Sequence, residues 1–378
     1  MMRPVHGGNL AWAAATAGCS PDAVLDFSAS ISPLGPPKSA IAAISAHLGS
    51  LRAYPDPDYR ELTTVLCQVH QLSPEWILPG NGSAELLTWA GWDLAKLASA
   101  ILVTPAFGDY YRALKAFDAK IIKCRLALEM GRWGEDYAPP IPSHPHNAPC
   151  FKSGNPPNAL APPHPSESGL LINNPHNPTG KLWQRETILP YLEQFALVVV
   201  DEAFMDFLPP EREQSLIPMV QKYPNLVILR SLTKFYSLPG LRVGYAIAHP
   251  DRLQRWKQRR DPWSVNTLAA AAATAVVQDL EFQQSSWHWL PPTRQQLFQG
   301  LSQIPGLHPF ESAANFLLVE SAQPTQELQQ KLLQQHQILI RDCLSFPELG
   351  DRYFRVAVRS NTENERLLKA LWQLTTMS

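Results

Sequence analysis

The sequence predicts an α/β fold, with a large domain built on a mainly parallel sheet and a smaller α+β domain. Three observations carry this expectation. Short, continuous apolar runs alternate with helical segments between about residues 76 and 247. Strands buried on both faces read as such runs, and the helices between them supply the crossovers of a parallel sheet. Polar motifs follow these strands, which suits a fold whose ligands bind at the carboxyl ends of strands. After about Asp261 the pattern changes to an Ala-rich helical stretch and shorter, spaced strands. At 378 residues the chain exceeds what one core usually spans, so two domains are expected.

In chain order, 1–37 reads as an arm with a short Ala-rich helix, and 24–33 as a brief strand leading into a turn. Helices are expected at 38–50 and 60–71, around a proline-punctuated loop at 52–59. Then come a strand at 76–78, a helix opening at Gly80-Asn-Gly-Ser83 and reaching about Leu97, and a strand at 100–103. A helix at 106–117 and strands at 120–124, 169–172, 195–200, 226–229 and 243–247 follow. One long helix is expected over 267–300, then strands at 315–319, 338–340 and 353–358 and helices at 324–335 and 361–375. The expected division is an arm at 1–36 joining the small domain, a large domain at 37–261 and a small domain at 262–378.

Composition excludes several classes. Apolar residues are 45% and charged residues 17%, which suits a globular protein with a sizeable core. The net charge of −1 offers no overall attraction to nucleic acid. Apart from the short apolar stretch at 10–19, the longest apolar run, 268–277, is far shorter than the roughly 20 residues that span a bilayer. Together with the absence of a recognisable leader, this predicts a cytoplasmic protein. The five cysteines, Cys19, Cys67, Cys124, Cys150 and Cys343, are scattered and odd in number, so reduced thiols are expected. Many of the 36 prolines cluster at 139–168, an expected exposed loop. Its histidines, including His144, His146 and His164, fit no closed metal-ligand set, and no metal is expected.

The chemistry centres on Lys234, in Ser231-Leu-Thr-Lys-Phe-Tyr-Ser-Leu-Pro-Gly-Leu-Arg242. Hydroxyls and a guanidinium around an amine suit a phosphorylated aldehyde, the arrangement a pyridoxal 5′-phosphate (PLP) site needs. Asp201 ends the apolar run 195–200, where a buried carboxylate needs a cation such as a protonated pyridinium nitrogen. Taken singly, Asp201 is better explained as a helix N-cap. Asn173-Asn-Pro-His-Asn-Pro-Thr-Gly180 is a turn whose Asn177 can donate to a ring oxygen. Gly80-Asn-Gly-Ser83 offers backbone N–H groups at a helix start, without the lysine of a Walker loop. Phe107 can stack on a planar ring, although most such residues are core.

These motifs follow successive strands, and together the chain resembles the fold-type I PLP enzymes, the aspartate aminotransferase superfamily. The resemblance extends over nearly the whole chain. It implies a PLP-dependent transferase fold and a homodimer with its active site at the interface. Lys234 becomes the Schiff-base lysine, Asp201 the pyridinium partner and Asn177 the ligand of the ring oxygen. Gly82, Ser83, Ser231, Thr233 and Arg242 surround the cofactor phosphate, and Phe107 stacks on the ring. Tyr54, in Tyr-Pro-Asp-Pro57, resembles the tyrosine that reaches the neighbouring subunit's phosphate. Arg355, in Tyr353-Phe-Arg-Val-Ala-Val358, matches the arginine that grips the substrate carboxylate region.

The branch shows in finer details. His6-Gly-Gly-Asn9, Asp26-Phe-Ser-Ala-Ser-Ile-Ser-Pro-Leu-Gly35, Asp201-Glu-Ala-Phe-Met-Asp-Phe207 and Ile340-Arg-Asp-Cys343 resemble the threonine-phosphate decarboxylases of cobalamin biosynthesis. The histidinol-phosphate aminotransferases are the near branch and share the Arg-Asp and Tyr-Pro-Asp-Pro patterns. Both act on phosphorylated amino compounds, which suits Arg341, Arg355 and Arg359 with His6 as substrate ligands. Phe204 stands where aminotransferases of this group usually carry a tyrosine, and it cannot donate a hydrogen bond. The resemblance therefore implies decarboxylation of L-threonine O-3-phosphate to (R)-1-amino-2-propanol O-2-phosphate. The alternatives are a histidinol-phosphate aminotransferase and, from another class, a non-catalytic sensor with a PLP fold.

Overall fold

The computed structural model describes residues 7–126 and 164–376. Its strands are β1 Leu25–Asp26, β2 Ile77–Gly80, β3 Ser99–Thr104, β4 Ile121–Arg125, β5 Ser168–Asn173, β6 Leu197–Asp201, β7 Leu226–Ser231 and β8 Gly244–Ala248. Five more follow: β9 Leu307–Pro309, β10 Phe316–Ser321, β11 Ile338–Leu339, β12 Arg341–Asp342 and β13 Tyr353–Ala357. The α-helices are α1 Leu10–Ala17, α2 Lys38–His47, α3 Arg60–His70, α4 Gly82–Leu94, α5 Gly108–Lys115 and α6 Arg185–Gln194. They continue with α7 Pro250–Lys257, α8 Thr267–Val277, α9 Leu280–Ser302, α10 Thr325–His336 and α11 Asn361–Thr376.

A seven-stranded sheet in the order β2-β8-β7-β6-β5-β3-β4 forms the centre. Only β8 runs against its neighbours, pairing antiparallel with both β2 and β7. The other six strands therefore end on one edge. Every residue of β3, β5, β6 and β7 is buried. Their period of two sends Ile101, Leu170, Val198 and Ile228 into one core and Leu102, Leu171, Val199 and Val227 into the other. Helices cover both faces, which is why the strands read as unbroken apolar runs.

The second part is a four-stranded antiparallel sheet, β12-β13-β10-β9. The start of the chain joins it: β1 pairs in parallel with β11, and Ala13, Ala14 and Val24 form one apolar cluster with Leu333 and Leu339.

Two expectations are corrected. The single helix over 267–300 is two helices, α8 and α9. Asp279 ends one run and caps the next, its side chain accepting from Phe282 N and from the hydroxyl of distant Ser39. Local propensity favours helix on both sides, and tertiary contacts choose the break. The cysteines are not all reduced: Cys19, Cys67 and Cys343 are free thiols, but Cys124 is disulfide-bonded. Most of the proline-rich loop expected at 139–168, with His144, His146 and Cys150, lies outside the described residues, as does His6. Among the described residues no helix is long and apolar enough to cross a membrane, and no group of three His, Cys, Asp or Glu could hold a metal ion.

Candidate active site

The shared strand edge opens onto a cavity of about 350 Å³. Ser83, Phe107, Asn177, Asp201, Lys234, Arg242, Arg341 and Arg355 line it. These eight residues come from strands of both sheets, from helix α4 and from the segments between elements, at positions spread over most of the chain. The strands deliver them in turn: β5 leads to Asn177, β6 ends at Asp201, and β7 runs into Lys234.

Asp201 is buried and held on both oxygens. Tyr110 donates its hydroxyl to Oδ2 at 2.7 Å, and Ala203 N donates to Oδ1 at 3.0 Å. Burial pushes its carboxyl pKa up, while these hydrogen bonds and nearby Lys234 oppose the rise. The turn after β5 is braced against it. Asn173 Nδ2 donates to the Asp201 carbonyl at 2.7 Å, and Asn173 Oδ1 accepts from Asn177 N at 2.6 Å. Asn177 Oδ1 in turn accepts from Arg355 Nη1.

Lys234 is half-buried, and its pKa falls to about 8. Burial is the largest cause, followed by the charges of Arg355 and Arg242, with Asp201 opposing. The amine is therefore deprotonated far more readily than an exposed lysine. Before it, Ser231 Oγ and Thr233 Oγ1 share a hydrogen bond at 2.8 Å. Gly82 adopts φ +72°, and a Cβ there would lie 2.7 Å from Arg242 Nη2. Glycine is thus required both for the backbone angle and for the guanidinium's approach to the start of α4. Arg242, Ser83 and the N–H groups of that helix end make a cradle for an anion.

Across the cavity, the β12–β13 pairing sets Arg341 directly opposite Arg355. Arg341 Nη2 donates to Ser345 Oγ at 2.6 Å, and Arg355 lies 4.8 Å over the Phe316 ring. Burial lowers the Arg355 pKa to about 10. Its Nε has no hydrogen-bond partner among the described residues. A buried donor left so is costly, and two guanidiniums side by side call for an anion. The donor set fits PLP: an amine for the aldehyde, a carboxylate for the ring nitrogen and a cradle for the phosphate.

Other predicted residues lie elsewhere. Gly82, Ser231 and Thr233 do not themselves line the cavity but flank Ser83 and Lys234, which do. Tyr54 is 78% exposed and stacks on Trp263 with centroids 4.4 Å apart. Arg359 donates to the Asp26 carbonyl at 3.1 Å and to Glu363 Oε1 at 2.7 Å, so its fork is engaged outside the cavity. Sequence reasoning missed Tyr110, Asn173, Ser28 and Ser30, all of which line the cavity. Tyr110 had a signal: it stands three residues after Phe107, on the same face of the first turn of α5.

The model of the family described as aminotransferase class I and II matches residues 22–371. A threonine-phosphate decarboxylase of Salmonella typhimurium is 38% identical over 381 aligned positions, covering 100% of this chain and 98% of the relative. A histidinol-phosphate aminotransferase of Nitrosococcus oceani is 32% identical, covering 90% of this chain and 85% of that one. Among solved structures, an L-threonine-O-3-phosphate decarboxylase from Porphyromonas gingivalis superposes with a TM-score of 0.77 at 22% identity, over 93% of this chain and 99% of the other. At that identity the likeness concerns the fold.

Proposed function

The chain belongs to the class I and II aminotransferase family, and on that premise we propose that it is a PLP-dependent carboxy-lyase. Its substrate is L-threonine O-3-phosphate, and its product (R)-1-amino-2-propanol O-2-phosphate serves cobalamin biosynthesis. The observation that carries the substrate class is the buried pair Arg341 and Arg355 facing Lys234, with one Arg355 donor unsatisfied. A substrate with a carboxylate and a phosphate supplies two anions for two cations. The choice of decarboxylation draws on full-length similarity to the Salmonella enzyme and on Phe204.

PLP, when bound, supplies an aldehyde that captures the substrate amine and a ring that accepts an electron pair from Cα. Lys234 would hold the aldehyde. Ser83, Ser231, Thr233 and Arg242, with the backbone at Gly82, hold the phosphate, and Phe107 packs on the ring. Asp201, steadied by Tyr110 and Ala203 N, keeps the ring nitrogen protonated. Asn177 donates to the ring oxygen. Arg341 and Arg355, aided by His6, would hold the substrate's anionic groups and so select which Cα bond is cleaved. With the Cα–carboxylate bond selected, carbon dioxide would leave without the bonding pair, and Lys234 would return one proton to Cα.

The same reading takes the protein as a cytoplasmic homodimer in which Tyr54 reaches the partner's phosphate site, and nucleic acid and membrane are not partners. Exposure of Tyr54 supports this. It keeps the division into 1–36, 37–261 and 262–378, which the β1–β11 pairing supports at the first boundary.

The histidinol-phosphate aminotransferase reading uses the same residues and breaks Cα–H instead. Purified protein with PLP and L-threonine O-3-phosphate, and no oxo acid, separates the two. Carbon dioxide release is expected. Its absence, with turnover appearing only when 2-oxoglutarate is added, sinks the decarboxylase.

A further inference from the structure

Ser28 stands at a junction that the reaction as described does not use. It is 2% exposed, yet three of its groups are engaged. Its backbone N and its hydroxyl both donate to Asp26 Oδ1, at 2.7 and 2.6 Å. Its hydroxyl oxygen accepts from Gly8 N at 2.8 Å. Its carbonyl accepts from Arg355 Nη2 at 3.3 Å. One residue thus connects the exposed start of the described chain to the arginine that faces the cavity.

The geometry at Gly7 and Gly8 is specific. A Cβ at Gly7 would lie 2.4 Å from the Ser28 carbonyl oxygen, so no side chain fits without displacing backbone. Gly8 holds φ +79°, a left-handed angle. Both glycines are exposed on their outer side, while Gly7 also lines the cavity. Asn9 then caps α1, its Oδ1 accepting from Trp12 N at 3.0 Å. The segment is a strap anchored on α1 and laid over Ser28.

We propose that Ser28, oriented by Asp26, is a positioning residue that latches the Gly7–Gly8 strap across the cavity and couples it to Arg355. It acts on substrate retention, not on the proton transfer. The Asp26 carboxylate fixes the hydroxyl proton, which leaves the oxygen's lone pair aimed at Gly8 N. An anion gripped by Arg355 then lies beneath a strap tied to the same residue. The inference rests on the proposed substrate, but its first readout does not.

That readout is amide hydrogen exchange at Gly8 in the PLP-loaded enzyme without substrate. Ser28→Ala and Asp26→Leu should each speed exchange about fivefold to tenfold, the worth of one net hydrogen bond. Asp26→Asn, which keeps an acceptor for the Ser28 groups, should restore slow exchange. The second readout is steady-state decarboxylation: KM for L-threonine O-3-phosphate should rise about tenfold in Ser28→Ala, with kcat within about threefold. Gly7→Ala reads the contact from the strap's side and should raise KM similarly, should Ser28→Ala not fold. Equal Gly8 exchange in wild type, Ser28→Ala and Asp26→Leu overturns the latch, and so does faster exchange with an unmoved KM. If the wild-type enzyme releases no carbon dioxide, the substrate assignment fails, and the exchange readout alone decides the latch.

Discussion

Two clusters of buried charge sit back to back on the ends of β6 and β7. Asp201 and Ser231 serve the cavity side, while their chain neighbours Glu202 and Arg230 belong to the other. Arg230 lies 3.0 Å from Glu202 and also pairs with Asp206 and Glu213. Glu202 further accepts from Ser215 Oγ at 2.7 Å and Leu216 N at 2.9 Å. Burial opposes the Arg230 charge, yet three carboxylates hold its pKa well above the ordinary range. In the cavity the same burial wins: Lys234 falls to about 8 and Arg355 to about 10. Charges supplied with partners make a clamp between strands, whereas charges short of partners make a site.

Replacing one residue on each side tests that division. Lys234→Ala should cost the largest effect, at least about a thousandfold in carbon dioxide release, with thermal stability kept or raised. Asp201→Asn should follow, at about a hundredfold or more, because the buried pair with the ring nitrogen is lost. Its neighbour Glu202→Gln should instead lower stability by roughly 3 kcal/mol and leave kcat within severalfold, since Arg230 keeps two other partners. Denaturant midpoints and single-turnover rates measured together decide. Equal losses of activity in the two neighbours would erase the distinction.

Next in size is Arg355→Lys. An ammonium cannot reproduce the fork that reaches Asn177 and Ser28 together. The expected loss is about ten- to a hundredfold in kcat/KM for the phosphorylated substrate, mostly through KM. The Lys234 shift gives a pH signature. Only the neutral amine attacks an aldehyde, so PLP capture by the apo-protein should rise about tenfold per pH unit below 8 and level above it. A rise continuing to the ordinary lysine pKa of about 10.4 would show that the cavity leaves the amine unperturbed.

The sheet was readable because its central strands β3, β5, β6 and β7 are largely apolar, a consequence of burial on both faces. Lys234, Asp201 and Asn177 could be picked out because each follows such a strand, and the fold gathers strand ends by construction. What escaped depends on contacts between distant segments. Tyr110 meets Asp201 from 91 positions away, and nothing near either residue announces the other. Arg230 reads as the polar end of a strand until the chain brings Glu202, Asp206 and Glu213 around it. The helix break at 278–279 has the same origin, since Ser39 meets Asp279 across 240 positions. Arg359 was grouped with Arg341 and Arg355 as a cation for a phosphorylated substrate, but two of its donors go to Glu363 and the Asp26 carbonyl.

The smallest expected effect concerns Phe204, which is buried at the cavity wall and meets Phe316 edge-on at 5.1 Å. It is an apolar residue on the side otherwise defined by unsatisfied donors. Phe204→Tyr adds one hydroxyl there without removing the packing. If that hydroxyl reaches the ring oxygen, it joins Asn177 as a second donor and favours the deprotonated form. The midpoint of the pH-dependent absorbance of the lysine-bound cofactor should then fall, by less than about one unit, the worth of one net hydrogen bond. Carbon dioxide release should stay within about tenfold of wild type, because the cleaved bond is selected by the arginines that hold the substrate and not by the ring oxygen. A switch to transamination on this change alone would place the choice of reaction at Phe204 and remove it from Arg341 and Arg355.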